Sequence, residues 1–243
     1  MRLFVYETYE SVSARAAEAI MYLINSKRNA VICPASGDSP SGTYQKLVTH
    51  IKENKTDISD LFFVGLDEWM GMNENDEGSC RFHLNHQLFY PLYVRQDHIV
   101  FFDGRAQDLK TECKRIDDAI GAHGGIDLAL VGLGMNGHVG MNEPGTPPDL
   151  HSHVAAIDPV TQQVGQKYFK EQKEISSGLT LGIANLMEAK SVMLVVSGIK
   201  KAEILKRVLE EEISEKLPAS LLRNHPRFSV YADAEAASLL NKI

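Results

Sequence analysis

Short, uniformly apolar runs alternate along this chain with longer stretches whose apolar residues recur at helical spacing. The runs at 3–6, 30–33, 61–66, 98–102, 126–133 and 192–197 read as strands, with 154–157 as a further short one. Helical patterns cover 11–26, 41–55, 78–90, 107–122, 179–189 and 200–212, and the segments 228–232 and 234–240 close the chain. A strand that is apolar at successive positions is buried on both sides, so this alternation predicts an α/β fold with a mostly parallel sheet covered by helices on both faces. No repeat, low-complexity linker or break divides the pattern, and residues 1–243 are expected to form a single domain. The stretch 144–173 is the least regular; it is polar, carries Pro147-Pro148, and reads as a candidate mobile flap. In open parallel sheets ligands bind beyond the carboxyl ends of the strands, and the chain's most reactive side chains fall there.

The run at 126–133 ends in Gly-Leu-Gly-Met-Asn-Gly-His-Val-Gly-Met-Asn-Glu-Pro-Gly, residues 132–145. Glycines let the backbone turn sharply and approach a ligand closely. His138, with Glu143 five residues on, suggests acid–base chemistry by an imidazole whose tautomer a carboxylate fixes. Such an imidazole suits ring opening of a sugar hemiacetal. The same residues match the dinucleotide fingerprint G-x-G-x-x-G, but that motif needs a long helix starting inside it. Gly140 and Pro144 follow too soon for a regular helix interior, so no nicotinamide cofactor is expected.

Three other strand ends carry candidate chemistry. The first, Ser36-Gly37-Asp38-Ser39-Pro40-Ser41-Gly42-Thr43, joins a strand to a helix with small and hydroxyl residues, and free amides there favour an anion. It lacks the Gly-Lys-Ser/Thr of a nucleotide P-loop, and an ordinary helix-capping loop is the alternative. In the second, Asp67-Glu68-Trp69, adjacent strand positions point to opposite faces, so one acid is expected in the cleft and the other in support of the loop. Two solvated turn acids are the alternative there, and Trp69 reads as packing. In the third, Ser197-Gly198-Ile199-Lys200-Lys201, Lys201 places a point charge for a phosphate, with Lys200 able to do the same. His151 and His153 lie near the suspected flap.

Composition narrows the class. The chain has 243 residues, 44% of them hydrophobic, and a net charge of −7 with no Lys/Arg block, which argues against a nucleic-acid partner. Three cysteines, Cys33, Cys80 and Cys113, have neither disulfide-framework nor metal-site spacing. No apolar run reaches the length of a membrane span, and the start at a strand, without a leader pattern, predicts a cytoplasmic protein. These features point to cofactor-free and metal-free proton transfer on a small phosphorylated molecule.

At these motifs the sequence resembles the glucosamine-/galactosamine-6-phosphate deaminase/isomerase family nearly end to end. The likeness rests on the 36–44 loop, Leu-Asp-Glu-Trp, Gly-Leu-Gly-Met-Asn-Gly-His, Asn-Glu-Pro-Gly and the late Ser-Gly-Ile-Lys-Lys-Ala. It implies a three-layer αβα sandwich shared with phosphogluconolactonases and ribose-phosphate isomerases. It implies Asp67 as the base moving a proton from C2 to C1, His138 as the ring opener and Glu143 as its orienting carboxylate. Ser36, Gly37, Asp38, Ser39, Thr43, Asn136, Gly137 and Lys201 would bind the substrate. The partner is then a phosphorylated amino sugar; a homo-oligomer is left open.

The chain also departs from the family. Asn136 stands where many glucosamine-type members have an aspartate, and Gln162 where they have a phosphate-contacting arginine. Trp69, Gly78-Ser79-Cys80, Thr161-Gln162-Gln163 and Gly124-Gly125 lean towards the galactosamine branch, with galactosamine 6-phosphate giving tagatose 6-phosphate and ammonia. The alternative is glucosamine 6-phosphate giving fructose 6-phosphate. His151-Ser152-His153 and the end at Ile243 argue against the effector site of larger members. Remoter readings are a phosphogluconolactonase, which would carry Gly-His-Thr-Ala at the histidine, and a non-catalytic sugar-phosphate sensor.

Overall fold

The computed structural model describes residues 1–241. Among the described residues the strands are β1 (Arg2–Tyr6), β2 (Val31–Pro34), β3 (Phe62–Val64), β4 (Asp67–Trp69), β5 (Ile99–Val100), β6 (Leu128–Gly132), β7 (His153–Ala156), β8 (Ser177–Thr180), β9 (Val192–Val196) and β10 (Phe228–Asp233). The α-helices are α1 (Tyr9–Ser26), α2 (Asp38–Glu53), α3 (Cys80–Leu84), α4 (Leu109–Ala122), α5 (Pro159–Gly165), α6 (Ile183–Glu188), α7 (Ala202–Glu210) and α8 (Pro218–Leu221). Seven strands form one sheet in the order β1-β10-β9-β6-β2-β3-β5, every neighbouring pair parallel. Side-chain alternation splits the core into two layers. In β9, Val192, Leu194 and Val196 pack with Ile116 of α4 and Leu205 of α7, whereas Met193 and Val195 pack with Ile20 of α1 and Leu47 of α2. The result is the three-layer α/β sandwich with a mostly parallel sheet that the apolar runs and the resemblance foretell.

A second sheet departs from the sequence reading. Strands β4, β8 and β7 pair antiparallel in the order β4-β8-β7. The expected helix at 179–189 is divided: Leu179 and Thr180 belong to β8, and the helix begins at Ile183. These strands are short and are defined by partners remote in sequence, which local periodicity does not register. The stretch 144–173 likewise contains β7 and α5. Asp158 caps α5 by accepting from the Val160 amide, with Pro159 in the first turn, a start signal present in the sequence.

At the amino end of the large sheet, Asp127 is 3% exposed and holds Lys27 and Lys190, each at 2.7 Å, together with the Val31 amide at 2.7 Å. Burial alone would raise its pKa, but hydrogen bonds from Lys190 and Lys27 bring it below the ordinary carboxylate value. Its stabilising contribution is therefore present above the unfolded-state pKa and lost as pH falls through the depressed native one. Asp127→Ala is expected to cost about 1–3 kcal/mol in chemical denaturation at neutral pH, because it orphans a buried amide. That loss should shrink in acid.

Candidate active site

The carboxyl ends of four adjacent strands, β9, β6, β2 and β3, open into a cavity of about 1060 Å³. Asp67, His138 and Lys201 line it, as do Ser36, Gly37, Asp38 and Ser39. The chain therefore brings its candidate base, imidazole and anion loop into one space.

Asp67 lies three residues past the end of β3 and opens β4. It is 9% exposed, and burial raises its pKa to about 6. Its neighbour turns the other way. Glu68 is fully buried and accepts the amides of Trp69 (2.8 Å) and Cys80 (2.9 Å) on Oε1 and that of Arg81 (3.0 Å) on Oε2. One acid faces the cavity while the other fastens the strand to the start of α3. Trp69 is 6% exposed, packs with Met72, Met141 and Ile175 and meets Phe169 edge-on, so the indole is part of a small core whose edge borders the cavity.

His138 sits in the turn after β6. Gly134 is required there, since a Cβ at that position would lie 2.2 Å from the His138 Nδ1. The Nδ1 atom lies 2.8 Å from Asn136 Oδ1 and 3.0 Å from Thr161 Oγ1, and Asn136 Nδ2 donates to Glu143 Oε2 at 2.8 Å. Glu143 Oε2 is 3.6 Å from the ring nitrogen, beyond hydrogen-bonding range. The sequence expectation of a carboxylate directly on the imidazole is thus corrected: Asn136 stands between them. Because its amide nitrogen is committed to the carboxylate, its oxygen faces the ring and places the proton on Nδ1. That leaves the Nε2 lone pair for the cavity. Burial, with Lys201 nearby, lowers the His138 pKa to about 4, so the ring is neutral near pH 7. Burial raises Glu143, with Asn136 and Thr161 pulling the other way. Asn142, fully buried, anchors the turn by donating to the carbonyls of Val139 and Leu181, each at 2.9 Å.

Three expected substrate contacts move to other roles. Asn136 and Gly137 do not line the cavity: Asn136 bridges His138 and Glu143, and Gly137 adopts φ +87° and packs towards Leu217. Thr43 is fully buried, because α2 starts at Asp38 rather than at 41 and carries Thr43 into its second turn beside Tyr44. The anion loop is therefore shorter, 36–41. Gly37, at φ +102°, precedes the helix without a side-chain cap, leaving first-turn amides to an incoming anion.

The Lys201 ammonium donates to the Leu133 carbonyl on the cavity floor, whereas Lys200 is exposed at the rim. Burial, with Lys167 nearby, lowers Lys201 to about 8, and Asp38 opposes the shift. Lys167 is a cavity residue that the sequence does not reveal: from beyond α5 it reaches Asp38 Oδ2 at 2.5 Å. Gln162 donates instead to the Ile157 carbonyl at 2.8 Å. Among the described residues no group of three or more His, Cys, Asp or Glu side chains is arranged to hold a metal, and no helix is long and apolar enough to cross a membrane.

The family model described as glucosamine-6-phosphate isomerases/6-phosphogluconolactonase matches residues 6–230. The chain belongs to this family. It is 34% identical to a glucosamine-6-phosphate deaminase of Geobacillus sp. (strain WCH70), covering 99% of this chain and 96% of that one. It is 35% identical to one of Bacillus velezensis, covering 98% and 99%. A solved structure described as a monomeric glucosamine-6-phosphate deaminase superposes with a TM-score of 0.95 at 34% identity, covering 98% of this chain and all of that one. A 6-phosphogluconolactonase from Trypanosoma brucei superposes at 0.74 with 21% identity over 99% and 98% of the chains, a likeness of fold. Both of these relatives carry the name glucosamine-6-phosphate deaminase.

Proposed function

We propose that the chain converts glucosamine 6-phosphate to fructose 6-phosphate and ammonia. The observation that carries this reading is a carboxylate of raised pKa and an imidazole with a free Nε2 lining one cavity beside a lysine-flanked anion loop. Neutral His138 takes the O1 proton through Nε2 and returns a proton to the ring oxygen. The C1–O5 bond breaks and the aldehyde forms. Asp67 then removes the C2 proton while a proton of the substrate's ammonium passes to O1, giving an enolamine, and Asp67 returns its proton to C1, leaving a protonated ketimine at C2. Water adds at C2 and ammonia departs. The phosphate lies on the 36–41 loop between Lys201 and Lys167, and no step draws on a cofactor.

Ammonia release from glucosamine 6-phosphate and galactosamine 6-phosphate tests the proposal. Faster turnover of the gluco epimer is expected. Faster turnover of the galacto epimer would restore the other branch, and turnover of neither would overturn the reading. Lys201→Ala should raise KM about 10- to 100-fold with little change in kcat, the usual size for a partly buried charged hydrogen bond. Lys167→Ala, half-exposed and already paired, should raise it only about two- to fivefold. A fall in kcat alone for either would remove it from phosphate binding.

A further inference from the structure

Two oxygens meet Nδ1 of His138, and they are not equivalent. Asn136 Oδ1, at 2.8 Å, sits two residues before the histidine and also accepts its backbone amide at 3.2 Å. An acceptor on the same turn travels with the ring; it selects the tautomer without fixing the imidazole against the rest of the cavity. Thr161 Oγ1, at 3.0 Å, comes from α5, 23 residues along the chain. Thr161 is 8% exposed and lines the cavity, whereas Val160 and Val164 of the same helix are exposed at its rim. The helix is itself held. Gln162 donates to the Ile157 carbonyl at 2.8 Å, and Gly165 lets α5 rest on the Trp69 core, where a Cβ would lie 2.8 Å from Ile175 and 3.4 Å from the indole. Resting on the proposed function above, we propose that Thr161 is a positioning residue for the ring opener: its hydroxyl oxygen accepts from Nδ1–H and fixes the imidazole so that Nε2 faces the anomeric oxygen.

Donor counting decides the direction of the bond. A neutral imidazole has one N–H, and the Asn136 oxygen, whose partner nitrogen is committed to Glu143, has no hydrogen to give. The proton is therefore on Nδ1, and the hydroxyl accepts it jointly with Asn136 as a three-centre bond. Asn136 alone leaves the ring free to swing, because its oxygen is divided between the ring and the backbone amide. The second acceptor, on a different element, removes that freedom. When Nε2 takes the O1 proton, the same two oxygens hold the N–H of the transient imidazolium until the proton passes to the ring oxygen; Nδ1 keeps its own proton throughout. Because α5 rests on Trp69, two residues from Asp67 on β4, the imidazole and the candidate base are aligned through one contact.

The test compares the wild-type chain with Thr161→Val, which keeps the shape and removes the acceptor, and Thr161→Ser, which keeps the acceptor and removes the methyl. Nitrogen-15 NMR of histidine-labelled protein reads which ring nitrogen of His138 carries the proton and how fast that proton exchanges with solvent, with His138→Ala supplying the assignment. The wild type should show Nδ1–H. In Thr161→Val its exchange should quicken about three- to tenfold, the fold-change of one neutral hydrogen bond, and kcat should fall by a similar factor with KM nearly constant. Thr161→Ser should return both most of the way to the wild type. An Nε2–H proton in the wild type overturns the proposal, as does exchange or kcat that stays unchanged in Thr161→Val. Failure of the serine variant to recover also overturns it, because the loss then follows packing and not the hydroxyl. If neither amino sugar is turned over, the proposed function falls on its own, and the exchange rates alone decide the role of Thr161.

Discussion

Asp67→Asn is expected to lower kcat by about 10²–10⁴-fold, the usual contribution of a positioned general base, while leaving the affinity for an open-chain amino-alditol phosphate nearly unchanged. The amide keeps the shape of the carboxylate but does not accept a carbon-bound proton. In the wild type, kcat should rise with pH through about 6, as Asp67 ionises. His138 does not explain that limb, since its pKa lies near 4. The same substitution should stabilise the fold. A carboxyl whose native pKa is raised is harder to ionise folded than unfolded, so the native state is penalised as pH climbs from the unfolded value to the native one, and fully above it. Removing the charge should therefore add on the order of 2–3 kcal/mol of stability at pH 7 and nothing near pH 3. Denaturation at the two pH values, set beside the kinetics, checks both halves. Undiminished turnover would dismiss Asp67 as the base, and equal stability at pH 7 would dismiss the burial penalty.

His138→Ala is expected to lower kcat on the cyclic substrate by about 10²-fold or more, with binding of the same open-chain phosphate retained. The reasoning rests on the Nδ1 side of the ring. Asn136 Oδ1 at 2.8 Å fixes the tautomer, and the low pKa keeps Nε2 unprotonated and able to accept. An anomeric proton then has a receiver without a cation forming beforehand. If the open-chain ligand loses affinity in step with kcat, the ring serves binding and the ring-opening role falls.

Much of this arrangement is legible in the sequence because buried parallel strands are apolar on both faces. The runs at 30–33, 126–133 and 192–197 lie in the structure on β2, β6 and β9, and the polar residues just past them enter the cavity. Period-2 geometry also separates Asp67 from Glu68. What stayed hidden depends on partners distant in the chain. Three-residue β4 has no periodicity to read and exists through its pairing with β8. The hydroxyl of Thr43 looks like a loop ligand until α2 begins three residues early. The His138–Glu143 spacing suggests direct contact, and the turn geometry is what inserts Asn136. Lys167 carries no local mark at all; it reaches the cavity because α5 brings the following turn across from Asp38.

The antiparallel sheet has a consequence for loop exchange between relatives. Thr180 is register partner to Asp67 on one side and His153 on the other, and its hydroxyl accepts the Met141 amide at 3.1 Å from within the histidine turn. Gly178 leaves room for Met141, where a Cβ would meet the sulfur at 2.1 Å. Base strand, histidine turn and the strand leading to α5 therefore share one hinge pin. A chimera that imports any one of them alone inherits a mismatched seam; the three travel as a single cassette.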